Sequence, residues 1–210
     1  MAEESSEISE LLHRATEGDD TALDSLFSHH RDRLKRMVRL RMSRRLQGRV
    51  DDSDVLQESY IEISRKLAEY LNNPEVPFFL WLRHMTGLKL AEIHRRHLGT
   101  LMRDADREVS LHRGALPEAD SVSLAAHLLG QLTSPSEAAV KAEMRIKLQE
   151  ALNSMDSMDR EIIALRHFEQ VSGTEAAEIL GLSKTGASSR YVRAMTKLKS
   201  ILSQFPEFND

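Results

Sequence analysis

Along almost the whole chain, apolar residues recur at helical rather than alternating spacing, and clusters of Gly, Pro, Asn and Asp punctuate the periodic stretches. The pattern predicts an amphipathic helix from about Ile8 to Glu17, a break at EGDD, and a long helix from about Thr21 that closes near Gly48. Asp51 to Ser53 offer caps for a third helix, DVLQESYIEISRKLAEYL, which buries Val55, Leu56, Ser59, Ile63 and Leu67 by spacing and exposes Asp54, Gln57, Glu58 and Glu62. It ends at NNPEVP, where two prolines and two asparagines make a loop. A fourth helix runs from Phe78 through FFLWLRHMTGLKLAEIHRRHL, with Phe78, Trp81, Leu82, Met85 and Ile93 as core candidates. A four-helix unit is thus expected over residues 8–99.

From Thr100 to Ser136 no period is sustained, although a short apolar patch, AAHLLGQL, stands out, and the stretch reads as a linker. Ser134 and Pro135 start a further helix, SEAAVKAEMRIKLQEALNSM, that enters a second unit over residues 137–204. Near the C-terminus, Ala177, Ile179 and Leu180 build a short helix from Thr174, Gly181 supplies a turn, and Ser183 is placed to cap the helix that follows. In that last helix Ala187, Tyr191, Ala194 and Leu198 form one buried stripe. The fold class expected is all-α, with two small helical domains joined by the linker.

Composition sharpens this picture at three points. The chain has 210 residues, 40% hydrophobic and 30% charged, a soluble globular composition. Cysteine is absent, which excludes disulfides, thiol nucleophiles and Cys-based zinc sites. MAEESSEISE is acidic where a signal peptide would be basic, and no apolar run approaches membrane-spanning length, so the chain is expected to stay in the cytoplasm, away from membranes.

The formal net charge of -4 hides a segregated distribution. The stretch from Glu3 to Asp24 is acidic, whereas His30 to Arg49 contains Asp32 as its only acid, and a second basic run spans Arg83 to His97. A third lies on the last helix, whose outer face carries Lys184, Thr185, Ser188, Ser189, Arg190, Arg193 and Lys197. Short helix, Gly turn and basic helix together make a helix-turn-helix, and donors and cations on its outer face suit phosphate oxygens and the major-groove edges of bases. A solvated surface helix is the plainer reading of that face. A phosphate-binding loop at GLSKTGAS is disfavoured, because Ala187 stands where its lysine must be and no strand precedes it. His94 and His97 share a helix face, yet spacing places no third metal ligand.

The combination resembles the extracytoplasmic-function class of bacterial RNA polymerase sigma factors, with both halves matching in order. LLHRATEGDDTALDSLFSHHRDRL looks like that family's usual start, and DSDVLQESYIEI resembles the D-x-x-Q-E segment with which sigma factors grip the clamp helices of the polymerase's largest subunit. FFLWLRHMTGLKLAEIHRRH resembles the F-x-x-W-L helix that, with the loop before it, engages the minus-ten element and opens the duplex. MDREIIALRHFEQVSGTEAAEILGLSKTGASSRYVRAMTKLK resembles the fourth region, which reads the minus-thirty-five element. The linker and SSRYVRAMTKLK also look similar to planctomycete sigma factors. Three departures stand out: Gly186-Ala187 where the family commonly has Thr-Val, Glu92 followed by Arg95 and Arg96 where it has D-x-x-R, and a rather long linker.

The resemblance implies a non-catalytic initiation factor without cofactor or metal, monomeric when free. Its partners would be core RNA polymerase, through the clamp helices and the flap of the second-largest subunit, promoter DNA, and an anti-sigma protein. Asp54, Gln57 and Glu58 would bind polymerase; Asn72, Asn73, Arg83, Lys89, Arg95 and Arg96 would meet promoter DNA from the first unit, and the α-helical basic face at the C-terminus from the second. The turn at Asn72 to Pro74 reads either as a base-capturing loop or as a plain helix-helix turn, and Trp81 as core rather than a stacking platform. A stand-alone helix-turn-helix regulator is the alternative, binding a palindrome as a dimer without polymerase.

Overall fold

The computed structural model describes residues 2–43, 45–46, 48–98, 119, 121–132 and 138–203, and among these every regular element is helical. The helices fall into two compact units, one within Met1–Leu111 and one within His112–Asp210.

In the first unit, α1 (Ala2–Thr16) packs on α2 (Asp20–Arg41), and α2 packs on α3 (Asp52–Asn72) and α4 (Phe78–Leu98), which also pack on each other. The α1–α2 corner turns at Gly18 with φ of +86°, a conformation that suits glycine. Asp19 then caps α2, accepting the Thr21 backbone N–H at 2.9 Å, while the Arg14 guanidinium donates to it at 2.6 Å. The Thr21 hydroxyl and Arg14 hold its carboxyl down at about 2. Along α2, Leu23, Leu26, Phe27, His30, Leu34, Met37 and Val38 are buried at three- and four-residue steps.

The expectation that this helix continues to Gly48 is corrected. α2 ends at Arg41, because Met42 turns extended and the Ser43 N–H bonds to His94 Nε2 at 3.3 Å instead of continuing the helical ladder. Met42 and Leu46 are buried, so the irregular exit is anchored, and Gly48 sits at φ of +94° in the turn that follows. α3 starts with a reciprocal cap: Asp51 accepts from Ser53 N–H at 3.0 Å, and the Asp54 carboxylate accepts from Asp51 N–H at 3.0 Å. Asp52 is buried and ion-paired with Lys35 at 3.6 Å and with Arg39, which fixes α3 to α2. The expected stripe of Val55, Leu56, Ser59, Ile63 and Leu67 is buried, and Tyr70 joins it. Phe78, Trp81, Leu82, Met85 and Ile93 of α4 are buried as expected, with Trp81 stacked on Tyr70 at 4.5 Å between ring centroids.

In the second unit, α5 (Ser121–Leu132) packs on α6 (Ala138–Asn153). This corrects the linker reading of that segment: Leu124, Ala125, Leu128 and Leu129 are buried on one helical face, and the Ser121 hydroxyl donates to Asn153 Oδ1 at 2.6 Å. Ala125, Leu128 and Leu129 of the AAHLLGQL patch are therefore core, and the rest of the presumed linker, with the start of the next helix at Ser134 and Pro135, lies outside the described residues apart from Ala119. α7 (Ser157–Ile163) runs into one wide π turn (Ala164–Phe168), then α8 (Gly173–Leu180) and α9 (Lys184–Leu202) follow, with α6, α7 and α8 all packing on α9.

The helix-turn-helix has its expected caps. Ser172 and Glu175 form a reciprocal cap on α8 at 3.1 and 2.7 Å. Gly181 is left-handed at φ of +63°, and the Ser183 hydroxyl accepts the Gly186 N–H at 3.0 Å to start α9. Ala177, Leu180, Ala187, Ala194 and Leu198 are buried; Tyr191 is only half-buried, because its ring lies at the rim under the Arg166 guanidinium, 5.6 Å from the centroid.

Candidate functional site

α9 exposes six of the seven residues expected to meet DNA from the second unit. Lys184, Thr185, Ser188, Ser189, Arg193 and Lys197 are all exposed; Thr185 and Ser189 lie opposite the buried Ala187, Ala194 and Leu198, and the other four lie to either side. Arg190 departs from that group. Its Nη1 donates to Asp159 at 2.7 Å and lies 3.4 Å from Asp156, and its side chain is 28% exposed. Asp156 also caps α7, accepting Met158 N–H at 2.9 Å. Arg190 thus clamps α9 to the start of α7. Sequence reasoning passed over Val192, which stands exposed on this face; its position four residues after Ser188 was the available signal.

On α3, Asp54 and Gln57 are exposed and Glu58 is half-buried. Asp54 is already engaged as a helix cap, and Glu58 lies 3.6 Å from Arg96. Gln57 borders an open groove of about 450 Å³ between α2 and α3, walled by Phe27, Leu56 and Tyr60. The Tyr60 hydroxyl donates to Asp24 across that groove, and the Phe27 and Tyr60 rings meet edge-on at 5.2 Å.

The α3–α4 turn places Asn72 and Asn73 in solvent, with Asn73 Nδ2 3.5 Å from Glu75 Oε1. Beside it lies a groove of about 390 Å³ whose walls include Tyr70, Trp81, His84 and Lys66. Trp81 forms part of its floor from a largely buried position, which favours core over a free stacking platform. Burial, Arg83 and Lys66 together push the His84 imidazole below its ordinary value. The Tyr70 hydroxyl donates to Val76 O at 2.8 Å and thereby holds the turn against α3, and burial raises its pKa.

At the far end of α4 the cations divide. Arg95 and Arg96 are exposed; Arg96 donates to Glu92 at 2.6 Å, and Lys89 does so at 2.7 Å. Those two donors, Lys89 first, hold the Glu92 carboxyl below the usual range. Arg83 is corrected: at 3% exposure it is part of the helical interior and presents nothing to DNA. The reason is position, since residues 78–83 of α4 are buried in succession, on every side of the helix. His94 is buried and held neutral-leaning by that burial, whereas His97 is exposed. Among the described residues no group of three His, Asp or Glu side chains is arranged to hold a metal, and no helix is long and apolar enough to cross a membrane.

The family model described as ECF sigma factor matches residues 5–204. The chain is 26% identical over 207 residues to the ECF RNA polymerase sigma factor ShbA of Streptomyces griseus subsp. griseus, spanning 96% of this chain and 98% of that protein. It is 24% identical to the RNA polymerase sigma factor CnrH of Cupriavidus metallidurans, over 91% of this chain and 92% of the relative. Among solved structures, that of CnrH in complex with the cytosolic domain of CnrY aligns with a TM-score of 0.53 at 21% identity, covering 93% of this chain and 96% of that one.

Proposed function

The chain belongs to the ECF sigma factor family, and from that premise we propose how its surfaces divide the work. It is an RNA polymerase sigma factor: it binds core polymerase and promoter DNA and directs transcription initiation. In the proposed division, the first unit, over residues 8–99, docks on the clamp helices through Asp54, Gln57 and Glu58. Acceptors on a polar helix face suit a basic coiled-coil surface. Its α3–α4 turn, with Asn72 and Asn73, and the cations Lys89, Arg95 and Arg96 engage and open the minus-ten element. The second unit contacts the flap and sets α9 in the major groove of the minus-thirty-five element through Lys184, Thr185, Ser188, Ser189, Arg193 and Lys197.

The observation that carries this reading is the capped α8–Gly181–α9 arrangement with six exposed donors and cations along α9. The protein acts in the cytoplasm as a monomer when free, and it is not itself a catalyst. CnrH was solved with a bound protein chain, and we extend to this chain control by a protein partner of the anti-sigma kind.

The test is transcription in vitro on fragmented genomic DNA, with core polymerase from the same source, with and without this chain. New RNA starts that share two spaced upstream elements are the expected result. DNA binding as a dimer with no new starts would instead support a stand-alone regulator.

A further inference from the structure

We propose that Val192 is a base-specificity residue of the second unit, reading the C5-methyl group of a thymine in the major groove. The proposal rests on α9 being the recognition helix. Val192 is 61% exposed, one of three large hydrophobic residues so exposed among those described. A lone exposed apolar side chain needs no explanation by itself. Its position does, because it sits on the face of α9 that otherwise carries Thr185, Ser188, Ser189, Arg193 and Lys197, one turn beyond the two serines.

Two of its neighbours are engaged within the protein. Arg190, whose fork would suit guanine, is held by Asp156 and Asp159. The Thr196 hydroxyl donates to the Val192 carbonyl at 2.9 Å and is occupied there. Thr185, Ser188 and Ser189 carry hydroxyls that donate or accept and so tolerate several bases, and their small size lets the helix come close to base edges. In the major groove the only apolar group on a base edge is the thymine methyl. Val192 and Ser188 also border a crevice of about 210 Å³, lined in addition by Ile162, Ala176, Ala187, Tyr191 and the Arg166 side chain.

The experiment uses the full chain with core polymerase on a promoter identified by start mapping. Each thymine of the upstream element is replaced in turn by deoxyuridine, which removes the methyl and nothing else. For the unmodified chain, one position should weaken promoter binding about fourfold, the value of one buried methyl. Val192→Ala should bind the natural promoter about fourfold more weakly and be indifferent to uracil at that position, while Val192→Ile should keep the sensitivity. A Val192→Ala protein that still loses about fourfold at the same uracil overturns the proposal. So does a flat uracil scan of the unmodified chain. Arg193→Ala and Lys197→Ala distinguish the two levels of failure. A lowered salt slope with a flat scan removes only the Val192 assignment, whereas an unchanged slope removes the recognition-helix reading, and this proposal with it.

Discussion

Replacing Arg190 by Ala should weaken the second unit before it weakens any phosphate contact. The guanidinium donates at 2.7 Å to Asp159, whose side chain is 19% exposed, and reaches the more open Asp156 at 3.4 Å. A charge-assisted hydrogen bond in such a half-shielded place contributes about 1–2 kcal/mol, above an open surface pair and well below a fully buried one. For a unit of this size that corresponds to a fall in melting temperature of about 5–12 °C. Circular dichroism melts of the full chain should show the lowered transition for Arg190→Ala and leave Arg193→Ala unmoved. Filter binding to a promoter fragment across a salt series should do the reverse, with the slope falling by about one for Arg193→Ala alone. If Arg190→Ala melts like the unmodified chain and loses about one unit of salt slope, the clamp reasoning fails and Arg190 is a phosphate ligand after all.

Three further outcomes follow from the packing. Leu124→Ala removes a fully buried side chain of α5 and should cost about 2–5 kcal/mol in a urea titration, where a residue of a true linker would cost nothing. Gln170, held at φ of +54°, should give a protein more stable by about 0.5–1 kcal/mol when changed to Gly, read as a higher urea midpoint; a lower midpoint would contradict the strain. Burial lowers the His94 pKa from the ordinary 6.5, so the unfolded chain takes up its proton first; stability should be full above about 6.5 and fall as the pH drops below it, levelling out once the folded state protonates too. His84 contributes in the same direction, so His94→Gln should shrink the pH dependence of the melting temperature, and an unchanged profile would refute the assignment.

Local signals told most where the deciding contacts are local. The stripe from Val55 to Leu67, the Gly181 turn and the Ser183 cap each depend on residues within a turn or two, and the sequence carries them openly. The features it concealed depend on partners far along the chain. Nothing near Arg41 announces that the helix stops there, because the Ser43 N–H is taken by His94, 51 residues away. Arg190 looked like its neighbours until Asp156 and Asp159, 34 and 31 residues earlier, came to meet it. Arg83 reads as part of a basic run, and only the succession of buried positions at the start of α4 takes it inside. α5 was missed for a different reason: twelve residues give its apolar spacing little more than three turns, and polar, Gly- and Pro-containing sequence surrounds it.

The caps that bound α8 and α9 have a kinetic corollary. With Ser172 and Glu175 at one end, left-handed Gly181 and the Ser183 hydroxyl between the helices, and the Arg190 clamp behind them, the surface proposed to face DNA is held in shape by contacts within the unit itself. A preorganised surface has no disordered segment to fold at the moment of contact, so little binding energy is lost to ordering. Encounter with a promoter should then be governed by electrostatic steering of the exposed cations, fast at low salt and slowing as salt rises, with side-chain rather than backbone adjustment in the final complex.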